Sequence, residues 1–247
     1  MKTSYFKRAA WALCSLFFVM EISPVSANVV ISGTRVVYPA NEREITLKLD
    51  NAGQEPSLVQ AWIDRGDPQS RPDEADAPFL LTPPIVRISA GRSQTLRITY
   101  THEPLPSDVE SVFWLNVLDV PPTPKNTDTN YVQLAYRSRI KVFYRPEQLQ
   151  GYAEDAPALV KWKLVPVASG FALRGTNPSP FSVSYNKTEL VSAGKTYSSQ
   201  GGMIPPRGVQ DFPLEDLKSM PSGVLTLRYE WINDYGSNKS VDTRLSN

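Results

Sequence analysis

The alternation of residues Asn130–Pro146, NYVQLAYRSRIKVFYRP, limits the fold more than any other part of the chain. Val132, Leu134, Tyr136, Ile140, Val142 and Tyr144 fall on one parity, and Gln133, Arg137, Arg139, Lys141 and Arg145 on the other. A period of two predicts a β-strand with one apolar and one polar face. The stretch is long beside the ordinary strand of about 5–6 residues. Such a strand projects past its neighbours or lies at an edge, and an edge with an apolar row is a hazard unless something covers it. Two readings of the row are open: it is internal core, or it is a template for another chain.

The rest of the chain is also read as strands. Asn28–Tyr38 alternates weakly and breaks at Ser32-Gly33, which predicts a first strand with a kink or bulge. Glu44–Leu49 alternates cleanly, Ser57–Ile63 follows with Trp62 as a core aromatic, and Asp64–Ala77 is a charged surface loop. Phe79–Leu81 and Ile85–Ile88 flank Thr82-Pro83-Pro84. A Pro-Pro pair excludes a central ladder strand and fits a broken edge strand that admits a cis X-Pro bond. Ser93–Thr101 and Val112–Val120 complete about seven strands in about 120 residues, the dimensions of an immunoglobulin-like sandwich. Glu147–Pro157 has no periodicity and reads as a hinge. Leu159–Val165, Gly170–Gly175, Phe181–Tyr185, Val209–Pro213, Gly223–Ile232 and Lys239–Arg244 are strand candidates of a second sandwich, whose last two strands join at Asn233-Asp234-Tyr235-Gly236. The division expected is residues 28–148 and 149–247.

Residues 1–27 have the pattern of a signal peptide. Lys2, Lys7 and Arg8 precede the apolar run Ala9–Met20, and Val25-Ser26-Ala27 supplies a small-residue cleavage site. Cleavage after Ala27 removes Cys14, the single cysteine, and leaves 220 residues with 23 basic and 24 acidic side chains. An exported chain without disulfides must be held by its cores. The balanced charge gives no reason to expect nucleic acid as a partner.

The residues of most catalytic and metal chemistry are missing. His102 is the single histidine and stands at a strand end. Gly194-Lys195-Thr196 lacks the upstream glycine of a phosphate loop, and Asp73, Glu74 and Asp76 lack the spacing of a calcium loop. The chain therefore reads as a binding protein, with no cofactor, no metal and no small-molecule substrate. An exported carbohydrate-binding module and a β-scaffold hydrolase are the alternatives that a glycan screen or a turnover assay would expose.

Arg139-Ile140-Lys141-Val142-Phe143-Tyr144-Arg145-Pro146 resembles the signature that closes the first domain of the bacterial periplasmic pilus-assembly chaperones. Gly33–Pro39, Gln60-Ala61-Trp62-Ile63, Thr82-Pro83-Pro84, Glu110–Val117 and Asn233–Gly236 resemble further segments of that family, in order. The resemblance implies an all-β fold of two immunoglobulin-like domains arranged as a boomerang, no enzymatic activity and a periplasmic location. It implies pilin subunits as partners, capped by strand donation, and delivery to an outer-membrane usher. Val132, Leu134 and Tyr136 carry over as the donated row, although Tyr136 replaces the aliphatic residue usual there. Arg35 and Lys141 carry over as the anchor of the subunit's terminal carboxylate, and Glu110, Arg145 and Asp234 as interdomain salt bridges. The short loop Pro121–Thr129 resembles the short-loop branch. Two uncovered donor edges could also cap one another in a dimer of the free chaperone.

Overall fold

Sixteen strands in four sheets form the chain in the computed structural model, which describes residues 28–123 and 132–245. The expected signal peptide at residues 1–27, most of the loop at 121–128, and Asn130 and Tyr131 of the long alternating stretch lie outside the described residues.

The first sandwich contains β1 (Val29–Ile31), β2 (Arg35–Pro39), β3 (Glu44–Asn51), β4 (Ser57–Asp64), β5 (Phe79–Thr82), β6 (Ile85–Ile88), β7 (Ser93–Tyr100), β8 (Ser111–Val120) and β9 (Tyr136–Arg145). One sheet has the order β1-β3-β7-β5, the other β2-β9-β8-β4-β6. The first segment is not one kinked strand but two strands in different sheets. β1 pairs antiparallel with β3, and β2 pairs parallel with β9. The switch occurs at Ser32–Thr34, where Gly33 has φ of 118°, a conformation that side chains disfavour. Phe79–Ile88 divides in the same way at Thr82-Pro83-Pro84, with a cis Thr82–Pro83 bond, into two edge strands of opposite sheets.

The inner faces meet in a core that includes Tyr38, Leu47, Leu49, Val59, Leu96, Ile98, Leu115, Val117 and Val142. Alternation sends Val59, Ala61 and Ile63 into this core, so Trp62 must leave on the outer face. That corrects its reading as a core aromatic. Trp62 is nonetheless buried, because the loop after β4 folds over it and its indole N–H donates to Ser70 Oγ at 3.1 Å.

The second sandwich pairs a sheet β10-β11-β14 with a sheet β13-β12-β15-β16. Its strands are β10 (Lys161–Val167), β11 (Gly170–Thr176), β12 (Val183–Ser192), β13 (Lys195–Ile204), β14 (Val209–Pro213), β15 (Thr226–Ile232) and β16 (Asn238–Arg244). Seven strands therefore stand where six were expected; β13 and the second half of β12 are additional. Gly201 lies in β13 opposite a bulge between Tyr185 and Lys187. A Cβ there would fall 2.5 Å from the Asn186 carbonyl oxygen, so close approach of backbone, not a turn, requires the glycine. The expected hinge carries turns and the start of a short helix, α1 (Ala156–Leu159), and Leu149, Ala153 and Ala156 pack on the second core. Asn233–Gly236 forms the expected turn between β15 and β16, with Gly236 N–H donating to Asn233 O at 2.9 Å.

Candidate functional site

Strand β9 is divided along its length. Val142 and Tyr144 are core residues and Ile140 is half-buried. On the same parity Tyr136 is 37% exposed, Leu134 56% and Val132 83%, so these three are not internal core. The strand begins at Tyr136, not at Asn130 as the periodicity predicts. The reason is the lack of a partner: pairing with β8 starts at Asp119 opposite Tyr136, and Val132–Ala135 lie beyond it.

The two edges of β9 also differ. β8 runs along one edge from Tyr136 to Tyr144. On the other edge β2 covers only Lys141–Arg145, starting with Arg35 opposite Lys141. Among the described residues Tyr136–Ile140 therefore present unpaired backbone groups beside an exposed apolar row. Such an edge is a template for pairing with another chain.

The open edge ends at two cations. Arg35 and Lys141 are cross-strand neighbours on the outer face, which here faces the second sandwich. Arg35 Nη1 donates to the Ile232 carbonyl at 2.9 Å, and Lys141 Nζ donates to Ser184 Oγ at 3.2 Å. Both side chains are partly buried. Arg35 lies over the Phe143 ring at 5.5 Å and Lys141 over the Trp114 ring at 5.4 Å. Among the described residues neither forms an ion pair with a carboxylate, and Arg35 Nε is buried without an acceptor. Burial first, and the Arg35 charge second, push the Lys141 ammonium down to about 8. Burial also lowers Arg35, against the opposing pull of Asp234 and Glu110.

Four residues further along β9, Arg145 is fully paired. Its Nε and Nη2 donate to Glu110 Oε1 at 3.0 and 2.8 Å, and its Nη1 and Nη2 to Asp234 Oδ2 and Oδ1 at 2.6 and 3.1 Å. Glu110 Oε2 accepts the Ser182 N–H at 2.9 Å, so this trio joins the two sandwiches. Burial would lower the Arg145 guanidinium, but Asp234 and Glu110 together outweigh it and raise it. Burial pushes the Glu110 carboxyl up in spite of Arg145. An exposed pair between Arg207 and Asp108, which nothing in the sequence marks, crosses the same interface.

The family of pili and flagellar-assembly chaperones, PapD N-terminal domain, matches residues 28–150, and the C-terminal domain of the pili assembly chaperone PapD matches residues 155–243. The chain belongs to the pilus-assembly chaperone family. This chaperone is 40% identical over 238 residues to the probable fimbrial chaperone YadV of Escherichia coli K12, covering 95% of this chain and 96% of that one. It is 40% identical over 237 residues to the chaperone protein FimB/FhaD of Bordetella pertussis, covering 93% of each. The crystal structure of the YadV chaperone superimposes with a TM-score of 0.77, over 89% of this chain and all of that one. A chain of the complex between the Salmonella enterica SafA pilin and the SafB chaperone superimposes with a TM-score of 0.71 at 26% identity, over 88% of this chain and 96% of that one. The protein is a fimbrial assembly chaperone.

In this chaperone the outer face of the open half of β9 is braced by a network that sequence reasoning missed. Arg139 Nη2 donates to Asp64 Oδ1 at 2.6 Å and to the Asp67 carbonyl at 3.0 Å. Arg137 donates to the carbonyls of Ser70 and Pro68 and lies over the Trp62 ring. Burial would raise the Asp64 carboxyl, but hydrogen bonds from Ser70, Asn116, the Gly66 N–H and Arg139 hold it below its ordinary value. The loop at 64–77 is thus not simply a surface loop: Asp64 and Ser70 are buried in it. Polar residues at alternate positions of β9 are a signal of an outer face, but their partners lie far away in sequence. No helix among the described residues is long and apolar enough to cross a membrane.

Proposed function

We propose that this chaperone works in the periplasm, without enzymatic activity, by lending the open edge of β9 to pilin subunits that lack a strand, and hands them to an outer-membrane usher. Residues 28–148 are read as the strand-donating domain and 149–247 as the domain that closes the cleft. Residues 1–27 are read as the export signal, and the short segment at 121–129 as the mark of the short-loop branch. Val132, Leu134 and Tyr136 enter the subunit's groove. Each apolar side chain buried there contributes about 1.5–3 kcal/mol before ordering costs. Arg35 and Lys141 hold the subunit's terminal carboxylate, and Glu110, Arg145 and Asp234 fix the two domains relative to each other.

The observation that carries this reading is where the open edge stops. A strand added beside Tyr136–Ile140 cannot continue past Lys141, because β2 occupies the edge from Arg35 onward. A chain that ends there brings its carboxylate to two cations that have no anion among the described residues. Charge-assisted hydrogen bonds are short and strong, and they would fix the register of the added strand. The pilin complex of SafB supports pilin as the client class. In the absence of client, a second copy can occupy the same edge, which concentration-dependent sedimentation would reveal.

Co-expression with a pilin subunit, followed by mass analysis of what co-purifies, tests the reading. Capture by the wild type and its loss in Lys141→Ala and in Arg35→Ala, both folded, support it. Undiminished capture by both variants overturns the anchor.

A further inference from the structure

Beside Arg35, between the two sandwiches, lies a cavity of about 210 Å³. Its wall carries Arg35, Phe143 and Trp231, and its mouth is flanked by Tyr152 and Tyr235. These two tyrosines are 77% and 89% exposed, a large apolar area left in water. Neither is on a loose tail. The Tyr152 carbonyl accepts the Asp155 N–H at 3.2 Å, and the Tyr235 N–H donates to Asn233 Oδ1 at 3.1 Å. Exposed aromatic rings held on ordered turns around one concavity mark a binding surface rather than scatter.

From this we infer that the cavity is a specificity subsite for an aromatic side chain at the terminus of the client strand. The inference rests on the carboxylate anchor proposed above. A strand on the open edge must end level with Arg35, and at that level the outer face of the sheet carries Arg35, Lys141 and Phe143 and looks onto the second sandwich. The terminal side chain that leaves the sheet on this face enters the cavity. The volume is below the roughly 300–1,000 Å³ of sites that take whole drug-sized ligands, and suits a single side chain. The lining selects its chemistry. Arg35 and Arg145 oppose a basic group, Glu154 and Asp234 oppose an acidic one, and four aromatic rings favour a ring with offset or edge-to-face packing. Serine and asparagine groups of the lining can meet a polar ring edge.

The test uses the full mature chain and three synthetic peptides of alternating valine and threonine: one ending in tyrosine, one in alanine, and the tyrosine peptide with an amidated terminus. Binding is measured by titration calorimetry to the wild type and to a Tyr152→Ala/Tyr235→Ala variant, whose substituted residues are exposed and outside both cores. The wild type should prefer the tyrosine-ending acid to the alanine-ending acid by about tenfold, and the double variant should lose that preference. The amide should bind more weakly than either acid. Equal affinity for both acids, or a preference unchanged in the double variant, overturns the subsite while the anchor stands. An amide that binds as tightly as the acid overturns the anchor, and no binding by any peptide overturns both.

Discussion

Arg145 and Lys141 share strand β9 and its outer face, yet Arg145 touches two carboxylates and Lys141 touches none among the described residues. Both are partly buried, so both lose hydration. For Arg145 the loss is offset inside the molecule, and its guanidinium is held charged by Asp234 and Glu110. For Lys141 it is not offset, and its ammonium is pushed down to about 8. The first site is satisfied within the molecule and bridges the two sandwiches. The second has no carboxylate partner among the described residues, and on the reading proposed above the client's terminal carboxylate supplies one.

The comparison can be broken first at the paired site. Arg145→Met leaves the Glu110 carboxylate, 1% exposed, without its cation. Removing one partner of a buried pair costs about 3–5 kcal/mol, so urea denaturation should show a loss of that order. The same substitution at the unpaired site should have the opposite sign. Lys141→Met removes a charge that folding desolvates, and should raise stability at pH 7 by roughly 1–3 kcal/mol while abolishing client capture. The pH dependence follows from the direction of the shift. The folded value, about 8, lies below the ordinary 10.5, so the charged form opposes folding. That cost is fully present below pH 8 and disappears as pH rises to 10.5, so the stabilities of wild type and Lys141→Met should converge across that window.

Effects confined to client binding sharpen the picture. Leu134→Ser changes a side chain exposed in the free protein, so denaturation should be unaffected, while a pull-down with a pilin subunit should weaken by about 1.5–3 kcal/mol. Client affinity of the wild type should fall by up to about tenfold per pH unit above pH 8, as Lys141 loses its proton beside Arg35, and Lys141→Arg should remove that dependence.

What the sequence made legible was local. The period-two row of β9, the break at Ser32-Gly33 and the Pro-Pro interruption were all visible, and the structure places strands and crossovers there. The limits of β9 were not visible, because alternation continues through Val132 whereas a ladder needs a partner, and the pairing with β8 ends at Asp119. Asp64 was taken for the start of a charged loop because two of the residues that hold it, Asn116 and Arg139, are 52 and 75 residues away. Strand β13 was missed because Gly201 and Gly202 resemble punctuation; the bulge at Asn186 and the ring of Phe212 explain them only once the sheets are assembled. In the candidate site, the fold brings Arg35 beside Lys141 and sets Arg145 between Glu110 and Asp234, all residues that carried a motif. The contributions of the second sandwich, Ser184 and the Ile232 carbonyl, were not legible, since a serine and a backbone oxygen have no sequence signature.

The central claim is that Lys141 awaits an anion supplied by the client. Titration of its Nζ by NMR, in the free chaperone and in a purified complex with a pilin subunit, tests this directly. A value of about 8 in the free protein that rises to its ordinary 10.5 or above in the complex is the expected result. A value that stays near 8, or falls further, would contradict the account: the client would then bury the ammonium without bringing it a carboxylate.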